Sequence, residues 1–440
     1  MIKIILIIFA ALFVGFRPAL GASSTDNYTL TLENAKRIAV ERNADLAAAR
    51  ASLEAAKARE TRAASGFYPK INAKFGMEQQ PTGSDSQDGN SAFGYLSAQW
   101  NLYRGGLDVA RAKTETLSSE RIRLGYETKK FQVENEVERV FYRMLFLRDV
   151  EGIKNTFIEI NGQQQALARQ MVARGGASQS DVTEFDLRTS DLKSDLVGIE
   201  QEYAGNQTKL KVLLGEDIAK NPQPTGELPH QHLEKTLTDY ANASLKDAPD
   251  IKTAALSFDI ASHKATAAKG RFLPQVDLEA SFGALPPSDG GTKDELGSRI
   301  AVVATWEIFG GFDASSEVKE ALAEKSAFDA ELQGTITGIL AEIETSFSEL
   351  LAIQKRSDIL KDNIALAKKY YDLIFQDFKR GYKNSGDFSS AAKAWYDAEV
   401  RQKELDMEFV EKKLVLENKI GRKISANKIE DVRKSPANNK

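Results

Sequence analysis

The chain has 440 residues, of which 42% are hydrophobic and 28% charged, and it contains no cysteine. The missing cysteines exclude thiol catalysis, disulfides and cysteine-ligated metal sites, and a formal net charge of −4 gives no electrostatic reason to expect nucleic acid as a partner. A mean hydropathy of −0.37 excludes a bundle of membrane-spanning helices.

The N-terminal segment carries the one sustained apolar run of the sequence. This run, Ile4–Phe16, has thirteen residues, which is too few to cross a bilayer as a helix. It follows Lys3 and precedes a short segment rich in small residues, a pattern typical of a secretory signal peptide. We therefore predict a signal peptide over residues 1–21, cleaved near Gly21 or Ala22, and an exported protein that crosses no membrane by helices.

The next part of the chain predicts a helix, two strands, a very long helix, a turn and a return helix. The opening helix, 32–64, is rich in alanine, which has the highest helix propensity. The long helix, 107–173, would measure on the order of 100 Å. Apolar residues recur along it at three- and four-residue steps, as in coiled coils, so we expect a rod or a tube wall. The strands are predicted over 69–79 and 93–103, and the return helix over 181–214.

The predicted strands alternate apolar and polar side chains. In GFYPKINAKFGMEQQ, which begins at Gly66, Ile71 and Phe75 share one face, whereas Asn72 and Lys74 share the other. About ten residues of such alternation are typical of a tilted outer-membrane strand. The same pattern also fits a water-soluble hairpin that covers a helix.

The later part of the chain repeats this order. The matched motifs, at an offset of 205 or 206 residues, are FYP at 67 and FLP at 272, WNLY at 100 and WEIF at 306, and RG at 174 and 380. We predict a tandem duplication, with one repeat over 28–215, a linker over 216–235, a second repeat over 236–424 and a flexible tail over 425–440. The second repeat is predicted to contain helices at 236–269, 312–379 and 387–421, and strands at 274–283 and 299–309.

Four membrane strands in one chain cannot close into a barrel, and lipid does not tolerate open sheet edges. Two chains would give eight strands, a barrel that side chains fill, whereas three would give twelve and an open lumen. We therefore predict a homotrimer with one continuous barrel in outer-membrane lipid. The predicted lipid-facing residues are Ile71, Phe75, Trp100, Leu278, Phe282, Val302 and Trp306.

Several motifs together resemble the TolC-type outer-membrane efflux protein family over residues 28–424. They are TLENAKRIAVERNADL near the start, FYP and FLP before the strand pairs, LYRGG and IFGG after them, and RGGASQSDV and RGYKNSGDF at the helical turns. The resemblance implies a fold that is mainly α with a small β part. In that fold a long α-helical barrel of coiled-coil hairpins is continuous with a transmembrane β-barrel built from four strands per chain.

The resemblance also implies a location and a function. The protein would lie in the outer membrane, extend into the periplasm, and act as the exit duct of a tripartite efflux or type I secretion system. Its partners would be a periplasmic adaptor (membrane fusion) protein and an inner-membrane pump or secretion ATPase. The resemblance is compatible with three kinds of cargo: a drug, a metal ion or a polypeptide. The alternative is a periplasmic coiled-coil scaffold or adaptor without a pore.

Each turn between a long helix and its return helix combines glycine with charges of both signs. Glycine is common at the C-terminal end of any helix, and an acidic residue is common in the first turn of any helix. These residues therefore also have an ordinary structural explanation. The resemblance implies that these turns form the periplasmic entrance and contact the adaptor, and we hypothesise that ion pairs hold the entrance closed. Many relatives carry an acidic residue where this chain has Ser390. Asp387 and Glu184 are therefore alternative positions for an acidic ring that selects cations. The candidate gate and adaptor-contact residues are Arg174, Gly175, Asp181, Glu184, Lys379, Arg380, Gly381, Lys383 and Asp387.

No combination of residues predicts an enzyme. The sequence has no glycine-rich nucleotide loop and no serine elbow, and we expect carboxylates such as Glu138 to lie on wet helix faces, so we expect no cofactor. The three histidines are His230, His232 and His263. The pair in PHQHLE would suit a metal clip, but without a third ligand of clear spacing it predicts a solvated loop and no metal site.

Overall fold

The computed structural model describes residues 26–80, 89–216, 220–230, 232–284 and 296–424. The predicted signal peptide and the predicted tail lie outside the described residues. The described helices are α1 Leu32–Arg42, α2 Ala44–Ala64, α3 Leu107–Ala173, α4 Gln179–Leu214, α5 Leu237–Asp247, α6 Pro249–Lys269, α7 Asp313–Lys379 and α8 Ser385–Ile420. The described strands are β1 Asp26–Leu30, β2 Lys70–Gln80, β3 Gly89–Arg104, β4 Lys220–Pro224, β5 Gln275–Ala284 and β6 Leu296–Thr305.

The structure divides each predicted opening helix in two, which corrects the continuous helices expected over 32–64 and 236–269. Asn43 has an extended backbone and its side chain accepts a hydrogen bond from the Leu46 amide at 3.2 Å, so a new helix starts there. In the later part of the chain Pro249 occupies the first position of α6, where its missing N–H costs nothing. The return helices α4 and α8 begin two residues earlier than predicted, after the cap residues Ser178 and Asn384.

The predicted linker over 216–235 contains a strand that the sequence analysis missed. β4 pairs in parallel with β1, from Asp26 opposite Lys220 to Leu30 opposite Pro224. The Thr225 amide continues the pairing with a 2.9 Å hydrogen bond to the Leu30 carbonyl. Prolines are tolerated in β4 because this two-stranded sheet has no central strand.

A second sheet contains the four strands that the sequence predicts, all antiparallel in the order β2-β3-β5-β6. β2 and β6 are its open edges. β6 ends at Thr305 rather than at 309, and Trp306 therefore lies just beyond the ladder. β3 begins at Gly89, earlier than the predicted start at 93.

The two long helices form the body of the molecule. α3 and α7 each have 67 residues, on the order of 100 Å. α3 packs against α2, α4, α6 and α8, and α7 packs against α5, α6 and α8. The apolar stripe predicted along α3 is buried in this packing; its buried members include Val137, Val140, Met144, Leu147, Val150 and Phe157. None of the described helices has both the length and the apolar character that a bilayer span requires.

Candidate functional site

The four-stranded sheet has one apolar and one polar face. Across the strands, Trp100 lies opposite Leu278, and Leu278 opposite Val302. One residue away, on the other face, Gln99 lies opposite Glu279. This alternation follows from the period of two in a strand, so the register places the predicted lipid-facing residues of the four strands on one surface.

This apolar face is exposed in the single chain. Phe75 is 82% exposed, Ile71 72% and Val302 66%, whereas Leu278 is half-buried between its strand neighbours. Other large apolar residues of the strands lie on the same face and are also exposed; they include Met77, Leu96 and Ile300. Soluble monomers rarely expose a continuous apolar surface of this kind. The residues that the structure describes leave this face uncovered, so the sheet needs an apolar environment from outside them.

Two tryptophans lie at the end of the sheet that is nearest the helices. The indole N–H of Trp100 donates to the Phe67 carbonyl at 3.0 Å, and that of Trp306 donates to the Phe272 carbonyl at 3.1 Å. Both rings remain exposed. A ring with an apolar body and one satisfied polar group is typical of a membrane–water boundary.

The chain crosses itself closely where the sheet joins the helices. Gly105 has φ +60°, and a Cβ atom there would lie 2.1 Å from the carbonyl oxygen of Gly270. Any larger residue at position 105 would push the two segments apart. The LYRGG motif therefore fixes the exit of β3 against the segment that leads into β5.

At the opposite ends of the long helices, glycines reverse the chain. Gly175 follows α3 with φ +72°, and Gly381 follows α7 with φ +77°. Amide-to-carbonyl hydrogen bonds of 2.9 Å, from Gly176 to Met171 and from Tyr382 to Asp377, close the helix ends in the Schellman manner. Because the left-handed conformation favours glycine, these two candidate residues have a clear local role.

The two turns contact each other through Asp181 of α4 and Ser385 of α8. The Ser385 hydroxyl donates to the Asp181 carboxylate and also lies 2.9 Å from a Glu184 oxygen. Asp181 additionally accepts a 2.7 Å hydrogen bond from the Ser178 amide. These donors, Ser385 first, lower the pKa of the Asp181 carboxyl. A charged Asp181 thus joins the starts of the two return helices at neutral pH.

The expected ion-pair latch is mostly not formed within one chain. Lys383 and Asp387 lie 3.4 Å apart, and Lys379 instead places its ammonium 4.1 Å from the centre of the Phe375 ring. Arg174 and Arg380 are exposed and have no ion pair with any residue that the structure describes. The carboxylates of Asp181 and Glu184 instead accept hydrogen bonds from Ser178 and Ser385.

Beneath the two turns lies a cluster of aromatic rings that the sequence analysis did not identify. Phe185 meets Phe378 and Phe388 edge to face, with ring centres 6.3 and 6.2 Å apart, and Tyr371 packs on Phe388 at 5.2 Å. All four are buried. The signal available in the sequence is the helical spacing of Tyr371, Phe375 and Phe378 before RGYKNSGDF, together with Phe388 at the end of that motif. This cluster fixes the α3–α4 hairpin against the α7–α8 hairpin.

Glu138 contradicts the expectation that the carboxylates of α3 are wet. It is buried. It forms ion pairs with Lys36 of α1 and, at 2.7 Å, with Lys423, which follows α8. Burial alone would raise the pKa of Glu138, but the two ammonium groups outweigh it and lower the pKa. The cluster is a structural cross-link between segments at the two ends of the described chain.

Comparisons with known proteins agree with this geometry. The chain matches the family described as "Outer membrane efflux protein" over residues 37–216 and 241–422. No curated protein gives a significant sequence match. Among solved structures, VceC from Vibrio cholerae superposes with a TM-score of 0.77 at 16% identity, covering 90% of this chain and 97% of VceC.

Two further structures are similar to the same extent. The CmeC outer membrane channel of Campylobacter jejuni gives a TM-score of 0.75 at 16% identity, covering 89% of this chain and 85% of CmeC. The open state of the MtrE outer membrane channel of Neisseria gonorrhoeae gives 0.76 at 16% identity, with 89% of each chain covered. At this identity the likenesses establish the fold, and the family match covers most of the sequence. The chain belongs to the outer membrane efflux protein family.

Proposed function

We propose that three copies of this chain form the outer-membrane exit duct of a tripartite efflux or type I secretion system. Each copy contributes four strands to a closed barrel of twelve, and the long helices form a tube through the periplasm. The observation that carries this proposal is the exposed apolar face of a sheet with two open edges, β2 and β6. Edges of this kind must be paired within lipid, and among the described strands the match for β2 is β6 of another copy.

The polar face of the sheet supports a water-filled lumen. Asn72, Ser97, Ser281 and Arg299 lie in one row across the four strands, and the interior of a wide outer-membrane barrel is polar. The structurally similar proteins CmeC and MtrE are outer membrane channels. The alternative function, a periplasmic scaffold without a pore, does not explain why one face of the sheet is apolar and exposed, so we do not favour it.

The turns at the far ends of the long helices serve as the entrance in this proposal. The contact between Asp181 and Ser385 holds the two hairpins of one chain together. The exposed cations Arg174 and Arg380 are then available to a neighbouring copy or to the periplasmic adaptor. An inner-membrane pump or secretion ATPase would deliver the cargo to this end.

We also propose that the chain arose by tandem duplication, with repeats over 28–215 and 236–424. The helices of the two parts have equal lengths, 11, 21, 67 and 36 residues in the same order. The family match likewise falls into two segments. Two similar hairpins per chain would give six quasi-equivalent hairpins around a trimeric tube.

Cell fractionation followed by single-channel recording tests the proposed function. We expect the protein in the outer membrane as a trimer and, after reconstitution into planar bilayers, discrete conductance steps. A water-soluble monomer that gives no conductance would refute the duct.

A further inference from the structure

The two histidines of the predicted linker lie beside a carboxylate that is remote in sequence. The ligand atoms of His230, His232 and Asp358 of α7 all lie within 4.8 Å of one another, and all three residues are exposed. The two imidazole rings meet edge to face, with centres 4.7 Å apart. The fold therefore supplies the third ligand that the PHQHLE motif lacks in the sequence.

One of the histidines is oriented by a further carboxylate. His230 Nδ1 lies 2.7 Å from Oδ1 of Asp406, whose side chain is only 9% exposed. Gln402 Nε2 also donates to this oxygen, at 3.1 Å. An imidazole that donates its Nδ1–H to a carboxylate keeps the lone pair of Nε2 free, which is the arrangement that supports metal-bound histidines in proteins.

The linker is held in place on both sides of the histidines. The Leu233 amide donates to Gln354 Oε1 on α7 at 3.0 Å. On the other side, Arg148 donates to the Gly226 carbonyl at 2.6 Å, and Leu228 is buried. The position of the two histidines against α7 is thus set by contacts that do not involve the histidines themselves.

We propose that His230, His232 and Asp358 form a binding site for a divalent transition metal ion, with Zn²⁺ as its occupant and Asp406 as the group that orients His230. Two imidazoles and one carboxylate form a set of ligands that suits Zn²⁺ and does not suit Mg²⁺ or Ca²⁺, which prefer oxygen. Metal–ligand bonds of about 2.0–2.1 Å place tetrahedral ligand atoms on the order of 3.4 Å apart. Because the side chains are exposed, small rotations bring them from their present separation to that distance.

One contact competes with the metal. Lys361 Nζ lies 3.4 Å from an Asp358 oxygen, but both side chains are about half exposed, and such pairs contribute little. A bound ion would displace it and tie the linker to α7, and through Asp406 to α8. The site would then connect the segment between the two parts of the chain with the α7–α8 hairpin.

Zn²⁺ titration of the detergent-purified full-length protein, prepared without a histidine tag, tests the site. We expect one Zn²⁺ per chain by calorimetry, no binding of Mg²⁺, and a rise in thermal stability on adding Zn²⁺, because a ligand that binds the folded state stabilises it. His232→Ala and Asp358→Asn should each weaken Zn²⁺ binding at least tenfold. Neither replaces a residue of the core, so both variants should assemble as the wild type does.

Two matched variants serve as controls. His263→Ala removes a histidine on α6, and Asp362→Asn removes an exposed carboxylate one turn along α7 from Asp358. Both should bind Zn²⁺ as the wild type does. The proposal is overturned if the wild type binds no stoichiometric Zn²⁺, if His232→Ala binds unchanged, or if the controls weaken binding equally. None of these readouts depends on transport, so failure here leaves the proposed duct untouched.

Discussion

Asp181 is the residue at which the local and the functional roles of the turns meet. It caps α4 through the Ser178 amide and holds Ser385 of the neighbouring hairpin. Ser385 is 3% exposed although it is the first residue of α8, next to the turn. In the proposed duct this contact restrains the two hairpins of each chain at the entrance.

Replacing the serine tests this restraint. Ser385→Ala removes the donor but leaves the Asp181 cap intact, so the hairpins should separate more easily and the channel should spend several-fold more time open at neutral pH. Single-channel recording measures this. Ser390→Ala, an exposed serine on the same helix, should behave as the wild type. Unchanged gating in Ser385→Ala would show that the contact does not restrain the entrance.

The same contact predicts how the channel responds to acid. The pKa of Asp181 is lowered in the folded turn. The stabilisation that the charged Asp181 gives to this contact is therefore fully present above the ordinary aspartate pKa of about 3.9, and it is lost as the pH falls through the lower pKa of the folded state. Glu184, which accepts a hydrogen bond from Ser385, and Asp387 are the other carboxylates at this turn. We therefore expect constant gating between about pH 8 and pH 5, with opening only below about pH 4.

At the scale of elements, the sheet is the part whose surface chemistry decides where the protein resides. Ile300 and Ala301 are neighbours at the middle of β6 but lie on opposite faces. Ile300 belongs to the apolar face and is 77% exposed, whereas Ala301 pairs with Glu279 on the polar face.

A lysine introduced at one or the other position tests which face of the sheet contacts lipid. Ile300→Lys should destabilise the assembled barrel by about 2–4 kcal/mol per chain, the cost of a lysine facing lipid near the midplane. Ala301→Lys should cost little, because it would face water and Glu279. The fraction of heat-resistant trimer on gels measures both. Equal behaviour of the two variants would argue against a lipid-facing surface.

Periodic elements of the fold could be predicted from the sequence, because long helices and alternating strands leave a regular pattern. The strand β4 could not, since proline-containing strands have low intrinsic propensity and β4 exists only because β1 pairs with it. Contacts between residues that are distant in sequence could not be predicted either. Examples are Ser385 with Asp181, Lys423 with Glu138, and Asp358 with the linker histidines. Each joins segments that only the packing of the long helices brings together.

At the scale of the whole molecule, the central claim is that β2 of one copy pairs with β6 of the next. Within a chain these strands lie at opposite edges of the sheet, separated by β3 and β5. With about 4.8 Å between neighbouring strands, that separation is on the order of 14 Å, too far for a disulfide, which needs Cα atoms within about 7 Å. Because the chain has no cysteine of its own, introduced cysteines report on contacts between copies alone.

Disulfide cross-linking of the two edges in membranes is the most direct test of that claim. Ala73→Cys on β2 is combined in turn with Ile300→Cys, Val302→Cys or Ala304→Cys on the same face of β6. We predict that at least one pair gives covalent dimers and closed trimers on non-reducing gels, reversed by reductant, whereas the single variants give none. If all three pairs stay monomeric although the protein is correctly localised, the two edges do not pair and the shared barrel is wrong.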